Sequence, residues 1–197
     1  MLANNFYKLC IDELGKEIIQ NAMDFSEKVV GETYDRFNYE LKRRKEAIFV
    51  GKISEEVFIN FAKNVLNVEL QSNYRIYEGT LNVDDYDFQI NGKTIDIKSS
   101  RDSKNQGIDC CFNYFNFPVP TDQTIKDITL SIIFDNTIKD FYITTWIDLE
   151  TYKKNCLIGK LPVGGGVYKD FYLYKIKNGR PLVEMKGYLN LLASNIH

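Results

Sequence analysis

The chain is almost without histidine, since His197, the last residue, is the only one. Ser-His-Asp and Cys-His arrangements are thereby excluded unless that terminal residue is recruited. The four cysteines, Cys10, Cys110, Cys111 and Cys156, form no C-x-x-C pair, so no zinc site is expected. The adjacent Cys110 and Cys111 read as small buried hydrophobes, with a reactive pair as the alternative. No apolar run approaches the ~18 residues of a membrane span. The opening MLANNFYKLCIDELGKE scatters charges where a signal peptide carries an apolar stretch, so a cytoplasmic location is expected. A net charge of -2 supplies no overall attraction to nucleic acid, and any such partner must be met by a local basic patch. Hydrolytic chemistry here must rest on carboxylates, lysine or a metal.

A length of 197 residues suits one domain with a sizeable core, or one domain with a helical appendage. Phe6, Leu9, Cys10, Leu14 and Ile18 recur at helical spacing and predict a helix over about 5–23. A second helix is predicted over about 32–48, with Tyr34, Phe37 and Leu41 on one side. Its end carries Lys42, Arg43, Arg44 and Lys45, a run that suits a helix C-terminus or contacts phosphates. Gly51 reads as a break and Ser54 as the start of a third helix. On that helix Ser54, Val57, Phe58, Phe61, Ala62 and Val65 make a continuous buried stripe. Glu55 flanks the stripe, whereas Glu56 points nearly opposite, into solvent.

Beyond Tyr74 the pattern turns to strands. Candidates are DITLSIIF at 127–134, FYITTWI at 141–147 and FYLYKI at 171–176, the last preceded by Gly164–Gly166. Short helices are expected after Asp148 and near 188–194. The stretch 101–123 is the candidate for a substrate-contacting loop.

The informative segment is NVDDYDFQINGKTIDIKSS, residues 82–100. Asn91-Gly92 is a strong two-residue hairpin signal, because a type I′ turn needs positive φ at both central positions. With the turn there, opposed residues have numbers summing to 183. Phe88 then faces Ile95 and Tyr86 faces Ile97 on an apolar side. On the other side Asp87 faces Asp96 and Asp85 faces Lys98. Like charges directly opposite one another destabilise a hairpin, and a bound hard cation removes that repulsion. The alternative is a solvated charged face on which Asp85 and Lys98 form an ordinary pair.

This arrangement resembles the PD-(D/E)XK nuclease family, whose fold is restriction-endonuclease-like. In that family one strand supplies an Asp, and the next antiparallel strand supplies an acid, one residue and a lysine. Asp87 matches the first acid, and Asp96-Ile97-Lys98 matches the second element. A Glu on the preceding helix, often after a glycine, is matched by Gly51-Lys52-Ile53-Ser54-Glu55. The resemblance covers roughly residues 51–100. Tyr86 stands where many members have proline, and Asp84 and Asp85 crowd beside Asp87.

The resemblance implies an α/β (α+β) fold, with a mixed central sheet flanked by helices. An N-terminal helical segment, 1–48, would precede a catalytic core, 49–197, within a single nuclease domain. It implies a Mg²⁺-dependent DNA endonuclease, with Mn²⁺ substituting, of restriction type or of phage or mobile-element origin. Asp87, Asp96 and Glu55 would hold metal together with the Ile97 carbonyl, and Lys98 would orient or deprotonate the attacking water. The expected partner is double-stranded DNA, cut by a homodimer. A DNA repair or recombination nuclease such as a Holliday junction resolvase, or a catalytically inactive nucleic-acid-binding module of the same fold, is the alternative. Arg101 and Lys104 follow the motif and either touch the DNA backbone or are ordinary surface charges. Of the 13 Phe and 13 Tyr most are core, with some of Phe112–Phe117 available to stack on bases.

Overall fold

Strand pairing around one buried β-strand organises the molecule. The computed structural model describes residues 2–3, 6–30, 40–74, 86–101, 114–118, 125–135, 138–162 and 166–193. Strand β6 (Ile128–Asp135) is buried at every position but its last. Ile128, Leu130, Ile132 and Phe134 enter the main core, and Thr129, Ser131 and Ile133 alternate onto the opposite face. A strand covered on both sides reads as a continuous apolar run, which is how ITLSIIF reads.

The other strands assemble about β6 in the order β1-β2-β7-β6-β4-β3. These are β1 (Leu2–Ala3), β2 (Phe6–Cys10), β3 (Phe88–Ile90), β4 (Lys93–Arg101) and β7 (Asp140–Asp148). Pairing is antiparallel throughout except between β4 and β6, which run parallel. The short strand β10 (Arg180–Pro181) pairs with β7 off this path. Three further strands, β5 (Tyr114–Pro118), β8 (Leu157–Pro162) and β9 (Tyr168–Lys175), form a separate antiparallel sheet. The fold is therefore a mixed α+β arrangement, with a mixed sheet flanked by helices α1 (Lys16–Val29), α2 (Leu41–Phe61) and α4 (Val183–Ala193). Helix α3 (Leu149–Asn155) follows β7, its N-terminus capped by the Asp148 carboxylate on the Thr151 N–H at 2.8 Å.

Several expectations need correction. Residues 6–10 are a strand, not the first turn of a helix. Their apolar residues also fit a period of two, with Tyr7 and Leu9 buried and Lys8 out, and pairing with β7 selects that reading. Helix α1 begins only after Gly15 (φ +85), and the segment 1–48 is not a helical appendage, because β2 belongs to the main sheet. Gly51 does not break the chain: α2 runs unbroken from Leu41 to Phe61, through the expected boundary at 48–49. A glycine inside a helix costs about 1 kcal/mol, less than the packing of Ile53, Val57, Phe58 and Phe61 returns. Ser54 is accordingly not an N-cap. It is buried mid-helix, where its hydroxyl donates to the Val50 carbonyl at 2.8 Å. The basic run 42–45 then lies in the first turns of α2, not at a helix C-terminus. The expected stretch 32–39, with Tyr34 and Phe37, lies outside the described residues.

The predicted hairpin is present. Phe88 pairs with Ile95, Gln89 with Thr94 and Ile90 with Lys93, each pair summing to 183. Asn91 and Gly92 hold φ of 49 and 77, as a type I′ turn requires. The Asn91 side-chain amide also donates to the Leu189 carbonyl at 3.3 Å, tying the turn to α4. Replacing Gly92 by alanine forces a side chain into left-handed backbone, so the variant should lose about 1–2 kcal/mol in urea unfolding. An unchanged midpoint would contradict the turn geometry.

Candidate functional site

The hairpin ladder stops one residue short of Asp87. The Asp87 N–H donates to the Ile95 carbonyl at 3.1 Å, and the chain then bends away. A regular continuation would send the Ile97 N–H to the Tyr86 carbonyl. Instead the Asp87 carboxylate accepts that N–H at 2.6 Å. Tyr86, expected to pack opposite Ile97, is 39% exposed. In an extended strand the N–H and C=O of one residue face the same neighbour, so the Ile97 carbonyl is turned toward this edge as well.

Asp96 and Lys98 project from β4 onto the face shared with Thr129 and Ser131, their partners on β6. The Lys98 Nζ lies 2.8 Å from Asp96 Oδ2. That approach lacks hydrogen-bond geometry, so Asp96 Oδ2 is buried without a hydrogen-bond partner. The Asp96 charge reaches Asp87. Burial first, and then Asp96, push the Asp87 carboxyl up to about 6, against the opposing pull of the Ile97 N–H, Lys98 and Lys52.

Glu55 joins the same electrostatic neighbourhood from α2. Burial raises its carboxyl to about 7, Lys52 opposes the rise, and the Asp87 and Glu56 charges add to it. Asp87 thus links the group: its charge reaches Glu55 on α2, and Asp96 and Lys98 of β4 act on it, with Ile97 between these two. Asp84, Asp85, Lys104, Cys110 and Cys111 lie outside the described residues. Arg101 ends β4. Of the 112–117 stretch, residues 114–117 belong to β5.

The sequence pattern did not single out Lys52. It is 6% exposed, and its ammonium sits 2.5 Å from Glu55 Oε2 and 2.7 Å from the Asn73 carbonyl. The rings of Phe25 and Tyr74 lie 4.9 and 5.2 Å from it. The available signal was its i, i+3 spacing from Glu55. Glu56 corrects another expectation, because it is not in solvent. It is 4% exposed, accepting the Tyr74 hydroxyl at 2.8 Å and the Ser72 hydroxyl. The segment 67–74 passes over this side of α2, and helical periodicity cannot register a covering that comes from outside the helix.

Among the described residues, no three Asp, Glu, His or Cys side chains are gathered closely enough to hold a metal ion. Each acid is engaged within the protein: Lys52 pairs with Glu55, Lys98 with Asp96, and the Ile97 N–H donates to Asp87. The side chains that would hold a cation are all oxygen donors, the kind a hard divalent ion takes. No family model matches the chain, and neither the curated proteins nor the solved structures give a match. No helix among the described residues is long and apolar enough to cross a membrane.

Two consequences can be measured. An unfolded Glu loses its proton near 4.5 and an unfolded Asp near 3.8, whereas Glu55 and Asp87 keep theirs to about 7 and about 6. Over that window the folded state binds more protons, so stability falls as pH rises from about 4 to 7. In metal-free buffer Glu55→Gln should flatten that fall, and an unchanged pH slope would contradict the site's electrostatics. Glu56→Ala strands two hydroxyls and should cost about 2 kcal/mol in urea melts, whereas a neutral effect would contradict the burial of Glu56.

Proposed function

We propose that this protein is a metal-dependent DNA endonuclease with a restriction-endonuclease-like fold. The observation that carries the reading is the convergence of Glu55, Asp87, Asp96 and Lys98 at the open end of the β3–β4 hairpin. A helix bearing an acid, a hairpin bearing an acid and a D-x-K element, and a following parallel strand agree with it. Asp87, Asp96, Glu55 and the Ile97 carbonyl would hold Mg²⁺, for which Mn²⁺ would substitute. When bound, such an ion lowers the pKa of its water and neutralises phosphate charge. The chain's own contribution is positional. Asp87 is fixed by the Ile97 N–H, Asp96 by the rigid β4–β6 pairing, and Lys98 brings a point charge to the water and the scissile phosphate.

The basic run on α2 supports a nucleic-acid partner. Lys42, Arg43, Arg44 and Lys45 all lie in the first turns of α2, where cations oppose the helix dipole, and Lys45 pairs with Glu27. Double-stranded DNA, cut by a homodimer at both strands, is the substrate this reading favours.

The test is cleavage of plasmid, linear, single-stranded and four-way DNA with Mg²⁺, Mn²⁺ or EDTA. Cleavage should require the metal and should fall at least about a thousandfold in Asp87→Asn, Asp96→Asn and Lys98→Ala. Discrete fragments would support the restriction-type reading, and preference for the four-way substrate would support a junction resolvase. Wild-type protein that binds DNA and leaves every substrate intact would show an inactive module of this fold.

A further inference from the structure

Two buried side-chain oxygens lack a hydrogen-bond partner among the described residues, Asp96 Oδ2 and Ser131 Oγ. Such groups are rare in folded proteins, because leaving a buried polar atom unsatisfied is costly. The two are not scattered. Ser131 pairs with Lys98 across the parallel β4–β6 ladder, and Asp96 precedes Lys98 by two residues on the same face. Adjacent strands lie roughly 4.7–4.9 Å apart, so the Ser131 hydroxyl sits beside the Lys98 stem, 0% exposed. The Ser131 carbonyl receives the Thr144 hydroxyl at 3.4 Å, and the Ser131 side chain takes no part in that bond.

A lysine lying 2.8 Å from Asp96 Oδ2 stands where a cation ligated through that oxygen would have to be. A dication and an ammonium cannot share one carboxylate oxygen without strong repulsion, so Lys98 must leave Asp96 Oδ2 for a metal to bind there. We propose that Ser131 is a positioning residue whose hydroxyl accepts the Lys98 ammonium once a divalent cation takes Asp96. This rests on the metal site proposed above. One movement then gives Ser131 Oγ a charged donor, while Asp96 Oδ2 exchanges its ion pair with Lys98 for the metal. Lys98 is left beside the metal ligands, held at a fixed place by a neutral acceptor that does not compete for the ion.

The test is a double-mutant cycle read as Mn²⁺ affinity, by the electron paramagnetic resonance signal of free Mn²⁺ added to the full chain. Four proteins are compared: wild type, Ser131→Ala, Lys98→Met and the double variant. Ser131→Ala removes an unsatisfied buried hydroxyl, so its melting temperature without metal should not fall, which separates positioning from a folding role. In the Lys98 background it should weaken Mn²⁺ binding about tenfold, the loss of a hydrogen bond to a charged group. In the Lys98→Met background it should change affinity by less than about twofold. Equal losses in the two backgrounds, or no loss in either, overturn the role of Ser131 whatever the protein does to DNA. Wild type that binds no Mn²⁺ overturns it too, together with the metal site. The predicted cycle in a protein that leaves DNA intact upholds the role of Ser131 and removes the nuclease reading alone.

Discussion

Carboxyl groups held out of water within reach of one another's charge are the constraint around which this site is arranged. Burial lifts Glu55 and Asp87 well above the usual carboxylate range, and the Asp96 charge adds to the rise of Asp87. In the structure the compensation is internal. Two lysines and a backbone N–H take the three acids, and the buried Lys52 is itself anchored by Asn73 and flanked by two aromatic rings. The fold serves this arrangement directly. Helix α2 brings Glu55 and Lys52, the hairpin brings Asp87, and β4, locked to the buried β6, brings Asp96 and Lys98.

Burying Glu55 and Asp87 stores unfavourable electrostatics, since both carboxyls are raised by loss of solvent. Asp87 illustrates the trade. It ends β3 early and gives up regular pairing, yet its carboxylate replaces the missing carbonyl on Ile97. Ladder pairing at the hairpin's open end is thereby exchanged for a carboxylate fixed in place. The internal lysines make the site tolerable by pairing with Glu55 and Asp96.

Local chemistry was legible in the sequence, and coverings from elsewhere were not. Asn91-Gly92 fixed the hairpin register because positive φ at two adjacent positions admits few residues, and the alternating apolar residues around it agree. The stripe from Ser54 to Ala62 was equally plain, since one helix face supplies all of it. Residues 6–10 went astray because a five-residue apolar pattern satisfies periods of 2 and 3.6 alike, and only the partner strand β7 decides. Glu56 and Lys52 were missed for a related reason. Their burial comes from residues 72–74 folding back over α2, a contact between segments that no periodicity within the helix encodes. The placing of Ser131 beside Lys98 is likewise a property of three-dimensional neighbours, visible only once β4 and β6 lie side by side.

The central claim is that these acids form one cation site presently satisfied by lysine. Crystals of the full chain soaked in Mn²⁺ test it most directly, with the ion located by its anomalous scattering. The account predicts one anomalous peak within coordination distance of both Asp87 and Asp96, with the Lys98 ammonium displaced from Asp96 Oδ2 toward Ser131. No peak at the hairpin's open end, or a peak there with Lys98 still seated on Asp96, would contradict it.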